Sequence, residues 1–284
     1  MQIQVQYPAN LPRQTYSYMT LLTIQNPMTQ GGDEVSPESK HPHLSKSPIV
    51  EAVMEVRFLA DPDIDLLGRF CDLLEPEGYP QVEKINRLSG HFAVSTQGAM
   101  SGANSSLVGY RSRRGRRTAS YWIQESRTVF SFSEMAPYTS WEEFGKEGIR
   151  VLALFLSVIG ERNATRLALR YINRFAVNWL GGETQQMLAD PPRPASGAPA
   201  DVESVISRSV SRYPDGASVA AVVQSIEKPP PGRTLGTALL DIEVFLEHHG
   251  LPNAEIQATL DSLQQKKNDL FFAAITQHAI EEFA

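Results

Sequence analysis

Charged side chains recur with a period of two in three separate stretches of this chain, and that spacing is where chemistry would reside. Glu51, Glu55 and Arg57 share one parity of the first stretch. Arg166, Arg170 and Arg174 share one parity of the second, and Asp241, Glu243 and Glu247 one parity of the third. In a β-strand one parity is one face of the sheet. Three such strands lying side by side would make a charged cleft, with guanidinium groups to bind phosphate or carboxylate bidentately and acids to hold Mg²⁺. The ligand-binding candidates are therefore Glu51, Glu55, Arg57, Arg166, Arg170, Arg174, Asp241 and Glu243. The blander outcome, and the more frequent one, is a solvated face with cross-strand ion pairs, each contributing about 0.2–1 kcal/mol.

A second charged group lies between residues 110 and 127, where six arginines stand against one glutamate. Arg113, Arg114, Arg116 and Arg117 sit at the tip of an expected hairpin and are the candidates for gripping a nucleic-acid backbone. In a chain of net charge −6, such a tip is more often a solvated turn. Other signals are weaker. His248 and His249 are adjacent, so a strand points them to opposite faces. His41 and His43 flank Pro42 in what reads as a solvated loop. Cys71 falls on an apolar helical stripe and reads as a small core residue. There is no phosphate-binding glycine loop, no Gly-x-Ser-x-Gly elbow and no His-Glu-x-x-His, so no catalytic residue, cofactor or metal is expected.

The elements that would position these groups are legible from periodicity. Residues 166–177 alternate Leu167, Leu169, Tyr171, Phe175 and Val177 against the arginines, which reads as a half-buried central strand. Residues 50–58 alternate Val50, Ala52, Met54, Val56 and Phe58 against Glu51, Glu55 and Arg57. Asp63 caps a helix with Leu67, Phe70, Cys71 and Leu74 on its inner stripe. Strands are expected over 81–95, 107–113, 118–124 and 128–133, with a Gly/Ser/Asn-rich turn at 96–106. Thr139 or Ser140 caps a long helix ending at Gly160. After a Pro/Gly-rich segment at 181–201, a short helix is expected near 201–212, then strands over 217–227 and 235–247, a break at Gly250 and a long closing helix.

With 284 residues, 42% of them hydrophobic and 20% charged, the chain is an ordinary globular composition with ample core. One cysteine excludes an internal disulfide and a cysteine-based zinc site. No stretch is long and apolar enough for a signal or a span, so a cytoplasmic protein without a membrane partner is expected. Residues 1–46 read as a flexible N-terminal arm and residues 47–284 as one α+β domain, with a sub-boundary or an insertion at 181–201.

Several pieces together resemble a known family: Ser47-Pro-Ile-Val-Glu-Ala-Val-Met-Glu-Val-Arg-Phe58, Ala136-Pro-Tyr-Thr-Ser-Trp141, Leu169-Arg-Tyr-Ile-Asn-Arg174, Leu240-Asp-Ile-Glu-Val-Phe245 and the Lys267-Asn-Asp-Leu-Phe-Phe272 helix. They are similar to the sporadically distributed bacterial proteins of unknown function that share a Leu-Arg-Tyr-Ile-Asn core. The resemblance runs from about Ser47 to the C-terminus. It implies no catalytic set, but its patchy occurrence implies mobile genetic cargo of a defence or toxin-neutralising type. A further analogue is the triphosphate-tunnel enzymes, whose first strand reads Glu-x-Glu-x-Lys. Here Val53-Met-Glu-Val-Arg57 lacks the first acid and has arginine as its base.

The expected fold class is α+β, a mostly antiparallel sheet packed against long helices, with two loosely similar β-α-β units. The expected function is that of a non-catalytic binding protein with a protein partner. A phosphate-ligand or Mg-dependent enzyme using the charged face is the alternative, and nucleic-acid binding through the arginine hairpin is the less favoured third. Oligomeric state is not read from the sequence.

Overall fold

The computed structural model describes residues 41–59, 63–95, 98–125, 127–160, 162–178, 184–199, 201–229 and 231–284. In chain order the elements are β1 (Ile49–Leu59), α1 (Ile64–Leu74), β2 (Gln81–Ser95), β3 (Gly98–Arg114), β4 (Arg117–Gln124), β5 (Arg127–Met135) and α2 (Trp141–Ile159). They continue with β6 (Ala164–Asn178), α3 (Thr184–Met187), β7 (Ser204–Arg212), β8 (Ser218–Glu227), β9 (Leu235–Leu251), a 3-10 turn (Asn253–Glu255), α4 (Ile256–Ala274) and α5 (Gln277–Phe283). The strands form one nine-stranded sheet in the order β2-β3-β4-β5-β1-β6-β9-β8-β7. Every neighbouring pair is antiparallel. The fold is thus a mostly antiparallel sheet with helices, as the alternation in the sequence requires.

The helices pack on one face. Ala52, Met54, Val56 and Phe58 of β1 are fully buried there, as are Leu167, Leu169, Tyr171, Phe175 and Val177 of β6 and Leu240, Ile242 and Val244 of β9. Asp63 caps α1 by accepting from the Asp65 and Leu66 amides, and Ser140 caps α2 by accepting from the Glu143 amide, which satisfies otherwise unpaired donors. Phe155 of α2 touches the rings of Phe58, Phe70, Tyr121 and Phe130. The helix sits this close because Gly148 has no side chain; a Cβ there would lie 2.1 Å from the Met54 methyl and 3.0 Å from the Phe132 ring.

Four details differ from the sequence expectations. The expected turn at 96–106 is strand from Gly98 onward, because the mostly small residues 98–106 pair with 87–95 and lengthen the β2–β3 hairpin. The expected helix near 201–212 is β7. Its Ser and β-branched residues are poor helix formers and pair fully with β8. Gly250 does not break β9, which continues to Leu251 with φ of 149° at the glycine. The closing helix breaks at Ile275, where an isolated bridge to Leu188 interrupts it before α5.

Residues 1–40 of the expected arm lie outside the described residues. Residues 41–46 lie against the closing helices: His41 stacks on Phe272 at 4.5 Å, the Ser45 hydroxyl donates to the Ala284 carbonyl, and the Lys46 amide donates to the Phe283 carbonyl. His41 is therefore packed rather than solvated.

Gly109 sets how closely β3 approaches β4. A Cβ there would lie 2.2 Å from the Tyr121 carbonyl oxygen and 2.6 Å from the Trp122 Cα, both backbone atoms that cannot step aside. Gly109→Ala is expected to destabilise the fold by about 1–3 kcal/mol, the usual cost of overpacking. A urea melt measures it, and an unchanged midpoint would show that the strands are not held this tightly.

Candidate functional site

The register places the predicted charges on the face away from the helices, and neighbouring strands bring most of them together. Arg57 of β1 lies directly opposite Arg166 of β6, which alone would be repulsive. Glu55 resolves this. Its Oε1 accepts from Arg57 Nε at 2.8 Å and from Arg166 Nη1 at 2.6 Å. The other arm of Arg166 donates to Glu243 Oε1 at 2.7 Å, and the guanidinium carbon lies 4.4 Å from the centre of the Phe245 ring. Ala168, between the arginines, leaves room for this layering. Beside the network, Arg170 grips Asp241 with two parallel bonds of 2.8 and 2.5 Å. The Asp241 carboxylate holds the Arg170 guanidinium above its ordinary pKa.

The charged face is therefore a set of closed ion pairs. Glu55, Arg57, Arg166 and Glu243 form one network, and Arg170 and Asp241 a second. Arg174 is exposed and stands apart, beside a separate cavity near Arg233 and Thr234. Among the described residues no group of three histidine, cysteine or acidic side chains is placed to hold a metal.

The arginine hairpin divides. Arg116 and Arg117 both donate to Glu134, at 2.7 and 2.9 Å, and that carboxylate is fully buried. Arg117 also approaches Glu143, and Arg114 approaches Glu147, at 3.9 and 3.6 Å. Arg150 and the Tyr79 hydroxyl hold the Glu147 carboxyl down to about 2. The Glu134 bonds tie the hairpin tip to β5, and the Glu143 and Glu147 contacts tie it to α2. Arg113 instead points to the open face, with Arg111 two residues earlier; both reach the exposed Glu83, at 3.2 and 3.6 Å.

Arg111, Arg113 and Arg116 wall a cavity of about 620 Å³ on the bare face of the sheet. Its shape follows from side-chain size. On β4 and β5 the outward residues are Thr118, Ser120, Ser131 and Ser133, in register as Thr118 opposite Ser133 and Ser120 opposite Ser131. These four small hydroxyl residues form a floor. Larger residues rise around it: the arginines, Trp122 and Ile85 on one side, and Glu51, Val53 and Met135 on the other. Of the predicted residues, Glu51, Arg113 and Arg116 line this basin. Arg111 belongs to the arginine run that the sequence marks as a candidate for gripping a nucleic-acid backbone, whereas Trp122 and the four hydroxyls were missed as site residues. Their signal was present as hydroxyl residues at every second position in Thr118-Ala-Ser120 and Ser131-Phe-Ser133.

On the helix face the structure holds a buried amine. Lys267 of α4 is 7% exposed, and its Nζ sits 3.9 Å from the centre of the Tyr171 ring and donates to Asn268 Oδ1 at 2.5 Å. Burial lowers its pKa to about 7. Nearby in the strand, Asn173 donates to the Tyr171 and Leu240 carbonyls while its own Oδ1 is buried without a partner. The motif pieces Leu169–Arg174 and Lys267–Phe272 are thus packed on one another through Tyr171 and Lys267.

No protein-family model and no curated protein matches the chain. Among solved structures, the crystal structure of DynU16, a protein of the dynemicin biosynthetic locus, aligns over 83% of this chain and 99% of that one, at 8% identity and a TM-score of 0.20. A likeness of that size carries no argument. No helix among the described residues is long and apolar enough to cross a membrane.

Lys267 generates a pH-dependence. An amine whose folded pKa is depressed leaves the unfolded chain binding an extra proton between about 7 and its ordinary value of 10.5. Its destabilising effect is full below pH 7 and is relieved as pH rises through that window. Lys267→Met should therefore raise the melting temperature at pH 6–7, and the advantage over wild type should shrink towards pH 10. A constant advantage across the range would show that burial does not perturb the amine.

Proposed function

We propose that this chain is a non-catalytic binding protein that receives an anionic partner on the bare face of its sheet. The observation that supports this reading is the division of that face. Glu55, Glu243 and Asp241 are each engaged by an arginine, which favours a rigid, pre-neutralised platform over a metal or proton-transfer site. Beside it, the basin presents guanidinium and hydroxyl donors around a recess. A partner that brings negative charge would meet donors already in place, at little ordering cost.

The finer architectural reading, two similar β-α-β units, is part of the same proposal. In each half a first strand, β1 or β6, is followed by a helical segment and a meander whose last strand returns to its side, and the two first strands pair at the centre. The family resemblance supplies the setting: a cytoplasmic accessory module in bacteria, of a defence or toxin-neutralising type. Arg114, Arg116 and Arg117 are ion-paired to Glu147 and Glu134, which favours this reading over nucleic-acid binding through the hairpin.

Purification of the tagged full chain from its native host at graded salt tests the proposal. A partner, macromolecular or small, should co-elute at low salt, be released as salt rises, and be lost from the Arg111→Ala/Arg113→Ala variant. A chain that emerges alone at every salt concentration would contradict it.

A further inference from the structure

The basin's donor count points to a particular chemistry. Three guanidinium groups and four hydroxyls converge on it. Arg111 and Arg113 share one exposed carboxylate, Glu83, at 3.6 and 3.2 Å, and Arg111 Nε donates to the Ser120 hydroxyl at 3.3 Å, which leaves Nη2 of Arg111 and the other N–H groups of Arg113 open to an anion. A carboxylate offers two oxygens, whereas a phosphate monoester offers three terminal oxygens and about −1.5 to −2 of charge. The hydroxyls, rows about 5 Å apart on adjacent strands, suit several oxygens at once. Arginine forks match phosphate geometry in particular.

The other lining residues ask for more than a phosphate. Trp122 stands in the wall with Ile85, Val53 and Met135 around it, an apolar surface with an aromatic face on which a flat ring can stack. Glu51 faces the basin from β1; its charge acts on the neighbouring Arg170 without a salt bridge among the described residues, so its oxygens can accept from a ligand's N–H or O–H. A volume of about 620 Å³ lies within the range of about 300–1,000 Å³ typical of small-molecule sites. It is small for a folded protein surface to enter.

The geometry points to a mononucleotide-sized, ring-bearing phosphate monoester as the basin's occupant: phosphate on Arg111, Arg113 and the hydroxyl floor, ring against Trp122, and a ligand donor on Glu51. This rests on the reading of the bare face as a binding surface and names what fills it. The ligand is held, not transformed.

Thermal melts of the full chain with AMP, GMP, CMP or UMP, each compared with inorganic phosphate and with adenosine, test it, since a ligand bound only by the folded state raises the melting temperature. At least one nucleotide should raise it at millimolar concentration, by more than phosphate or adenosine alone. Titration should then show at least a tenfold loss of affinity in Arg111→Ala/Arg113→Ala, and a comparable loss in Ser131→Trp, which fills the floor without touching the core. Glu51→Gln should alter the ranking among the four bases while retaining phosphate-dependent binding. No shift with any of the four nucleotides would overturn the assignment, as would a shift that survives both basin variants unchanged. Co-elution of an acidic protein in place of a small phosphate, lost from the same variants, would overturn this assignment while leaving the broader binding reading standing.

Discussion

A single carboxylate oxygen, Oε1 of Glu55, holds together the middle of the sheet. The register of β1 against β6 sets Arg57 opposite Arg166, and two guanidinium groups at that spacing repel. Because Oε1 accepts from both, the pairing that buries Met54 and Leu169 on the helix face does not cost unopposed charge on the other. Arg166 is 8% exposed, so the screening that makes surface ion pairs weak is largely absent. Its second bond, to Glu243, extends the same constraint to β9. Three strands that are far apart in sequence are thereby locked in one register, and a slip by one residue would turn charge inward and apolar residues outward.

That lock explains why the outer face has two characters. Where β1, β6 and β9 meet, the side chains of Glu55, Arg57, Arg166 and Glu243 lie down on one another and on Phe245. Over β3, β4 and β5 the hydroxyl residues are too short to cover the backbone, and the arginines of β3 stand as a wall. The same alternation that builds the sheet thus produces a filled half and an open half. The hairpin tip is stiffened separately by the buried Glu134 and its two arginines, which fixes where Arg113 and the basin's rim can lie.

Much of the fold was legible in the sequence because alternation survives wherever one face is buried: the burial of Ala52, Met54, Val56 and Phe58 follows from parity alone, whereas the edge strand β2 was marked by the turn signals around it. The extension of β3 through Gly98–Ser106 was not, because small polar residues pair in a long hairpin without any apolar signature. β7 was misread for a related reason: nearly every residue in it is exposed on an edge strand, so no parity marks it. The convergence of Glu55, Arg166 and Glu243 was foreseeable as a shared face, but not that one oxygen would serve two arginines, which depends on register. The basin was harder still. Its floor is defined by what serine and threonine lack in size, and a recess becomes visible only when β4 and β5 lie between larger neighbours. Lys267 was hidden by its type, since a lysine on an apolar stripe reads as a solvated position until Tyr171 is seen beneath it.

The interlock at Glu55 is tested most directly by a double-mutant cycle of Glu55→Gln and Arg166→Met, followed by chemical denaturation of the two single variants and the double variant. The account predicts that each single change destabilises the fold and that the two are strongly coupled, by about 1.5 kcal/mol or more, within the range seen for residues in one network. Additivity within about 0.3–0.5 kcal/mol, the behaviour of distant and independent sites, would contradict it.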